Sequence, residues 1–144
     1  MSLTPEHREY LRSAAITDET IEAAGLRSAL SREDLPEGLA GMTVLAPVPG
    51  ILFPYRDREG NVVTHRYRPD NPAPDPNKNG KPAKYVGEPG KNVVNHVRAT
   101  TNGKILVVEG EKQQLAAASY APEGFGVVGI PGCWTWKGTD LSWA

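Results

Sequence analysis

The stretch that most constrains the fold is the apolar run that ends in Glu109-Gly110 and the segment that follows it. The pattern predicts a strand at Lys104–Glu109, a helix at Glu111–Tyr120 and a second strand at Phe125–Ile130. A strand, a helix and a strand in this rhythm make a βαβ unit. Such a unit requires two parallel strands joined by a right-handed crossover.

Glu109 is the first candidate functional residue, because it closes the first strand of this unit. Functional groups of open parallel sheets collect beyond the carboxyl ends of the strands. A carboxylate beside a helix start suits Mg²⁺ or a phosphate-bearing substrate. The structural alternative is an acidic residue that interacts favourably with the helix dipole. Spacing alone leaves both interpretations open.

The middle of the chain predicts a β-hairpin with arginines on its strands. Residues 51–55 form an apolar run, residues 57–61 a turn, and residues 62–68 an alternating return strand. Arg66 and Arg68 are two residues apart and should share one strand face, where paired guanidiniums suit phosphate oxygens. Arg56 ends the first strand. The alternative is an exposed arginine face paired with carboxylates such as Asp57.

The N-terminus predicts two short helices. Thr4-Pro5-Glu6 is typical of an N-cap followed by proline, and Thr17 or Asp18 can cap a second helix that Gly25 ends. Residues 69–82 are rich in Pro, Asn and Gly, which favours a loop that is not a packed element. Lys84-Tyr85 follows this loop and could supply a charge for a phosphate and a ring for base stacking, although a half-buried core role suits Tyr85 better.

Composition excludes several classes of protein. The chain has 144 residues and a net charge of −1, which fits one domain without a global basic signal. Its middle is nevertheless basic, with nine Lys and Arg against five Asp and Glu between residues 56 and 98. A single cysteine, Cys133, excludes an intramolecular disulfide and a multi-cysteine zinc site. The three histidines share no spacing typical of a metal site, and no P-loop motif is present.

Neither a signal peptide nor a membrane-spanning apolar run is present in the sequence. We therefore expect a soluble, intracellular protein with no membrane partner. Trp134, Trp136 and Trp143 cluster near the end of the sequence, and we interpret them as packing or interface residues rather than a ligand cage.

Three blocks together resemble the polymerase domain of bacterial-type DNA primases, which contains a TOPRIM fold. They are "ILFPYRDREGNVVTHRYR", "KYVGEPG" and "ILVVEGEKQQLAA". The opening "LTPEHREYLRSAAITDETIEAAGLRS" and the closing "GIPGCWTWKG" are similar to phage and plasmid replication proteins with a TOPRIM-like domain. The order and spacing of the blocks carry the resemblance, which covers most of residues 50–136.

The resemblance implies roles for four residues. Glu109 matches the first acidic residue of the TOPRIM site, where it would coordinate Mg²⁺ or assist phosphoryl transfer as an acid or base. Arg56, Arg68 and Lys84 match the basic residues of the primase blocks. They would bind template backbone or the triphosphate of an incoming nucleotide.

Two departures from the family pattern matter. Gln113 stands where the primase signature has an aspartate, and the second signature, Asp-x-Asp after a later strand, is missing. Asp140 follows no predicted strand and is a poor substitute. One carboxylate holds Mg²⁺ weakly, because the ion keeps most of its waters and needs further anionic ligands. We therefore expect magnesium binding to be weak or absent in this chain alone.

The expected fold class is α/β, divided into a helical segment at 1–48, a β-rich basic segment at 49–100 and an incomplete TOPRIM-like βαβ unit at 101–144. The expected function is that of the N-terminal part of a phage or plasmid primase, which binds single-stranded DNA and nucleotides for Mg²⁺-dependent RNA primer synthesis. It should be inactive alone, either as a piece of a longer primase or as a chain that a second polypeptide completes, and a helicase is a further candidate partner. The resemblance implies a location in the cytoplasm of a bacterial or phage-infected bacterial cell. The alternative is a non-catalytic TOPRIM-derived module that regulates another nucleic-acid enzyme; a TOPRIM nuclease fragment ranks lower.

Overall fold

A computed structural model describes residues 2–132 of the chain. The helices of this described part are α1 (Pro5–Ser13), α2 (Asp18–Ala24), α3 (Glu37–Ala40) and α4 (Glu111–Tyr120). Its strands are β1 (Arg27–Ala29), β2 (Gly50–Arg56), β3 (Val62–Pro69), β4 (Val86–Gly87), β5 (Asn95–Arg98), β6 (Ile105–Glu109) and β7 (Gly126–Ile130). Short 3₁₀ turns lie at Arg32–Asp34 and Pro76–Lys78. This mixed architecture confirms the predicted α/β class.

The first sheet is antiparallel, with strand order β1-β2-β3-β4. Its centre is the predicted hairpin, in which Ile51 pairs with Arg68 and Phe53 with Arg66. The register shifts between Tyr55 and Arg56, next to the turn. Since paired residues of an antiparallel ladder share a face, Arg66 and Arg68 lie on the same face as the apolar side chains of Ile51 and Phe53.

The second sheet has strand order β5-β7-β6. β6 and β7 are parallel and joined by α4, which confirms the predicted βαβ unit. β5 joins the other side of β7 in antiparallel orientation. The segment at residues 83–97 contributes β4 to the first sheet and most of β5 to the second. The link between the two sheets therefore lies within it.

The N-terminal helices begin and end as predicted. The Thr4 side chain accepts a hydrogen bond from the His7 N–H, and the Thr17 side chain accepts one from Thr20. Gly25 ends α2 at φ 69°, a left-handed conformation that glycine adopts without strain. Among residues 2–132, no helix is long and apolar enough to cross a membrane.

α1 is fastened to the first sheet by His7. Its Nδ1 lies 2.6 Å from Ser28 Oγ, and its Nε2 lies 2.9 Å from Asp70 Oδ1. The trio has the residue types of a hydrolytic triad, but Ser28 is only 3% exposed and its Oγ accepts the Thr4 N–H. An inaccessible, already hydrogen-bonded hydroxyl is no nucleophile for a substrate. These residues fix the position of α1.

α2 packs against α4, across about a hundred residues of sequence. The Thr17 N–H donates to Ser119 Oγ at 3.1 Å, and the Ser119 hydroxyl lies 2.9 Å from Thr20 Oγ1. These polar contacts lie beside an apolar cluster on the face of the first sheet that carries Ile51 and Phe53. The buried members of the cluster are Leu11, Ile16, Ile21, Leu26, Ile51, Phe53 and Leu115. Its members come from the helical, β-rich and βαβ segments alike.

The opposite face of the first sheet carries a separate apolar cluster. Its buried members are Ala29, Leu35, Leu39, Ala46, Leu52, Tyr67, Ala83 and Val86. Leu35 and Leu39 come from the segment between β1 and β2. This segment covers its face of the sheet with apolar side chains. The N-terminal helices and the βαβ unit cover the other face in the same way.

The loop at residues 69–82 is more compact than its composition predicts. An isolated bridge joins Pro74 to Pro82, and the Asp75 N–H donates to the Lys81 carbonyl at 2.9 Å. The Asp75 side chain is 7% exposed and accepts the Asn77 N–H. Several backbone groups of this loop are therefore hydrogen-bonded within the loop itself. The predicted residues Cys133, Trp134, Trp136, Asp140 and Trp143 lie outside the described residues.

A buried carboxylate joins the two sheets. Glu111, the first residue of α4, has a side chain only 4% exposed. Its Oε1 accepts hydrogen bonds from Arg66 Nε at 2.8 Å and from the Tyr55 hydroxyl at 3.1 Å. Burial, and then the Glu111 charge, raise the pKa of Tyr55, which keeps the phenol protonated and able to donate. Arg66 and Tyr55 belong to the first sheet, so this contact holds α4 against it.

Gln114 extends this polar contact toward the second sheet. Its Nε2 donates to the Tyr55 hydroxyl at 3.1 Å, and its Oε1 accepts from Asn95 Nδ2 at 3.2 Å. We call Arg66, Glu111, Tyr55, Gln114 and Asn95 the inter-sheet network. Gln114 fits because Gly129 faces it without a side chain, and a Cβ on Gly129 would overlap the Gln114 amide.

We predict that Gly129→Ala destabilises the protein by about 2 to 3 kcal/mol, because the added methyl displaces Gln114 and leaves buried polar groups unpaired. Urea unfolding measures the change. Gly41→Ala is the matched control, since nothing lies within 4 Å of a Cβ there and its φ is −74°. Its effect should stay within about 0.5 kcal/mol. Equal unfolding midpoints for both variants would contradict the packing argument.

His65 gives the fold a second testable property. It lies on the face of β3 opposite to Arg66, with its Nδ1 3.4 Å from Glu88 Oε1. Burial is the largest influence and lowers the pKa of His65, although Glu88 acts in the other direction. The folded protein therefore favours the neutral imidazole.

We predict that stability falls as the pH drops below about 6.5, the usual pKa of an unfolded histidine, because the unfolded chain then binds the proton more readily. The loss should be smaller in His65→Gln than in the unchanged protein. Urea unfolding at about pH 7.5 and pH 5.5 measures both losses. If the two proteins lose equal stability over this range, His65 does not contribute.

Candidate nucleic-acid interface

The carboxyl ends of the two parallel strands meet at Glu109 and Ile130, which pair in register. Gly110 follows at φ 85° and lets the backbone turn directly into α4. Glu109 is exposed. It shares a strand face with Ile105 and Val107, which are 40% and 54% exposed, while α4 covers the other face.

The described residues do not by themselves fit a magnesium ion at this edge. Within residues 2–132, no group of three or more His, Cys, Asp or Glu side chains is arranged to hold a metal. Magnesium is held by several oxygen ligands in octahedral geometry, and a lone exposed carboxylate supplies one. Any tight site at Glu109 would need ligands from elsewhere.

Three of the predicted basic residues lie in one region beside the start of α4. Arg66 contacts Glu111, two residues beyond Glu109 in the chain. Arg68 follows on the same face of β3. Lys84 precedes β4, whose Val86 pairs with Tyr67, so this short segment runs next to Arg68. The structure therefore brings Arg66 to the start of α4 and sets the segment that contains Lys84 beside the strand of the two arginines.

These three cations differ in how freely they could meet a ligand. Arg66 is engaged by a buried carboxylate and is 23% exposed. Lys84 is exposed, and its ammonium makes no ion pair with a residue in the described range. The Arg68 guanidinium carbon lies 4.5 Å from the centre of the Tyr10 ring, a cation–π contact. Arg68 and Lys84 are the better placed for an external anion.

Arg56 lies at the other end of the hairpin. It pairs with Val62, six residues along β3 from Arg68, which corresponds to about 20 Å of extended strand. Its guanidinium donates to the Gly60 carbonyl at 2.9 Å and approaches the Ala24 carbonyl at 3.5 Å. Arg56 also borders a cavity of about 480 Å³ between the hairpin turn and β5. It is not part of the cluster at the start of α4.

Tyr85 packs as a half-buried residue, as we predicted. Its ring meets the Phe53 ring edge-on, with centroids 5.8 Å apart. Burial raises the pKa of Tyr85, and Glu111 and Tyr10 add to the effect. The ring is largely used in packing, which leaves the charge of Lys84 as the more accessible part of this pair.

Sequence reasoning missed two residues of this region. Lys112 Nζ lies 4.7 Å from the centre of the same Tyr10 ring that Arg68 contacts. Neither Tyr10 nor Lys112 is among the residues that sequence reasoning assigned to a site. A sequence pattern could not pair them, because the ring and its two cations belong to α1, β3 and α4.

Comparison with known proteins finds similar proteins only among solved structures. No family model matches the sequence, and no curated protein matches it at a significant level. Among solved structures, the chain is similar to the Aquifex aeolicus primase, in a structure of its zinc-binding and RNA polymerase domains. The identity is 21% and the TM-score 0.63, over 90% of this chain and 37% of that one.

Two further solved structures are similar. The DnaG catalytic core matches with 20% identity and a TM-score of 0.58, over 92% of this chain and 49% of that chain. The DnaG primase catalytic domain bound to single-stranded DNA matches with 18% identity and a TM-score of 0.58, over 96% and 55% of the respective chains. The chain thus spans between about a third and just over half of these proteins. At such identities the likeness establishes the fold, which is the mixed α/β fold of part of a DnaG-type primase core.

Proposed function

We propose that this chain is the template-binding and nucleotide-binding part of a primase-like replication protein. The observation that carries the proposal is that Arg66 reaches the start of α4, two residues beyond Glu109, while the segment that contains Lys84 runs beside the strand of Arg66 and Arg68. The fold likeness to primase cores, one of them solved with single-stranded DNA, supports the same function.

The chemistry of the basic residues suits phosphate binding. An arginine guanidinium can donate two hydrogen bonds to one phosphate, and a lysine ammonium provides a compact charge. Arg68 and Lys84 would contact the DNA backbone or the triphosphate directly. Arg66 would act mainly through Glu111, which it keeps in place. Arg56 would contact a bound DNA strand only if the DNA continues toward the hairpin turn.

Glu109 would contribute one carboxylate to a Mg²⁺ site. The further ligands would come from residues beyond the described range or from a second polypeptide. A chain with a single carboxylate would bind the ion weakly. In this proposal the described residues bind and orient the nucleic acid, and catalysis of RNA primer synthesis requires the completed site.

A non-catalytic binding module is the second candidate. The exposed Glu109, with no metal-binding group of side chains within residues 2–132, favours it, and so does the exposed apolar surface of Ile105 and Val107. A primer-synthesis assay of this chain mixed with the rest of a primase core separates the two candidates. Restored synthesis that Glu109→Gln abolishes supports the first candidate, whereas inhibition supports the second.

We predict that the protein binds a labelled single-stranded oligonucleotide with an affinity that falls steeply with salt, as measured by fluorescence anisotropy. The variant Arg68→Ala/Lys84→Ala should bind at least about tenfold more weakly at low salt. The slope of log affinity against log salt should decrease by about 1.4, because each lost contact to single-stranded DNA removes about 0.7.

The matched control is Arg8→Ala/Arg12→Ala, which removes the same charge from an exposed part of α1 where both arginines are paired with Asp18. It should retain most of the affinity. Absence of binding by the unchanged protein at low salt, or equal losses in both double variants, would refute the proposed interface.

A further inference from the structure

We propose that Tyr10, Arg68 and Lys112, here called the Tyr10 cluster, form a phosphate-binding site that makes helix α1 part of the nucleic-acid interface. The inference rests on the proposed function for the source of the phosphate. It adds two binding residues, Tyr10 and Lys112, to which sequence reasoning assigned no binding role.

The geometry brings two cations together around one ring. The Arg68 guanidinium carbon and the Lys112 ammonium lie 4.5 and 4.7 Å from the centroid of Tyr10. The two positive charges are therefore at most about 9 Å apart, within reach of a single phosphate group and its neighbour. Cation–π contacts with Tyr10 hold both side chains without neutralising them.

Two of the carboxylates around the cluster have partners of their own. Asp70 is held by His7 and Glu111 by Arg66, at 2.9 and 2.8 Å. No salt bridge links Arg68 or Lys112 to an acidic residue in the described part of the chain. The two positive charges of the cluster are thus not neutralised by an ion pair there, and an anionic ligand would neutralise them.

A cavity and a free hydroxyl accompany the charges. A cavity of about 290 Å³ is lined by His7, Tyr10, Ile51, Arg68 and Asp70. The Tyr10 hydroxyl is buried and has no hydrogen-bond partner among residues 2–132. A buried polar group without a partner is rare and calls for a water or a ligand. A phosphate oxygen next to Arg68 would accept from it.

The position of the cluster is fixed by rigid elements. Tyr10 is one helical turn beyond His7, which ties α1 to Ser28 and Asp70. Lys112 stands in the first turn of α4, directly after Glu111, whose carboxylate is bound by Arg66. The ring and its cations are therefore held by two buried polar contacts, which is the preorganisation that a specific site needs.

The test compares two lysines that both lie over aromatic rings. Lys112 contacts Tyr10, and Lys104 contacts Phe125 at 5.5 Å, at the opposite end of β6. Anisotropy titrations use a labelled single-stranded oligonucleotide in one arm and a labelled nucleoside triphosphate in the other. Lys112→Ala should weaken binding about fivefold or more in at least one arm, with an oligonucleotide salt slope lower by about 0.7. Lys104→Ala should change affinity less than about twofold, as expected for a charge outside the site.

The two arms identify the source of the phosphate. A loss confined to the oligonucleotide assigns the cluster to the phosphodiester backbone, and a loss confined to the triphosphate assigns it to the nucleotide. Either result supports the site. Equal, small effects of Lys112→Ala and Lys104→Ala in both arms would overturn it.

Substitutions of Tyr10 separate ligand binding from structural support. Tyr10→Leu removes both the ring and the hydroxyl and should weaken binding at least as much as Lys112→Ala does, whereas Tyr10→Phe keeps the ring and should lose only the affinity that the hydroxyl hydrogen bond supplies. Thermal unfolding checks that each variant is folded. A Tyr10→Leu variant that unfolds at lower temperature but binds with full affinity would show that the ring only supports packing.

Failure of this inference can be distinguished from failure of the proposed function. If Arg68→Ala/Lys84→Ala abolishes oligonucleotide binding while Lys112→Ala matches Lys104→Ala, the interface stands and the Tyr10 cluster is rejected. If the unchanged protein binds neither the oligonucleotide nor the triphosphate, both proposals are rejected.

Discussion

The arrangement of the whole molecule depends on the neutralisation of one buried carboxylate. Glu111 is almost inaccessible, and an unpaired charge there would cost several kcal/mol. Arg66 and Tyr55, both on the first sheet, provide the compensation, so α4 can occupy only a position that brings its first turn onto that sheet. The same constraint sets Lys112, the next residue of α4, against Tyr10. Geometry that serves ligand binding is thus a consequence of a requirement for stability.

The elements that sequence reasoning predicted correctly are those encoded by local pattern. The N-terminal helices follow from caps at Thr4 and Thr17, the hairpin from two apolar runs around a turn, and the βαβ unit from its periodicity. The direction of β6 then places Glu109 at the carboxyl end of the two parallel strands. In each case the information lies within about twenty residues, which is why it could be extracted from one sequence.

The features that sequence reasoning missed arise from contacts between distant residues. β4 and β5 are short and adjacent in the chain, yet they pair with different sheets, and no local signal separates them. Glu111 was treated only as a helix start, since nothing in the sequence identifies Arg66 as its partner 45 residues away. For the site, sequence reasoning grouped Arg56 with Arg68, but the length of the strand separates them. The basic residues could be identified from the sequence, whereas the fold was needed to show which of them lie close together.

The docking of α2 on α4 has a consequence for biosynthesis. Thr17 and Thr20 hydrogen-bond to Ser119, so α2 is synthesised about a hundred residues before the helix on which it packs. Contacts of such high sequence separation slow folding, because a long loop must close before they stabilise anything. During translation, α2 therefore lacks its packing partner until α4 has been made. The native contact between these two helices can form only after synthesis of the βαβ unit has reached Ser119.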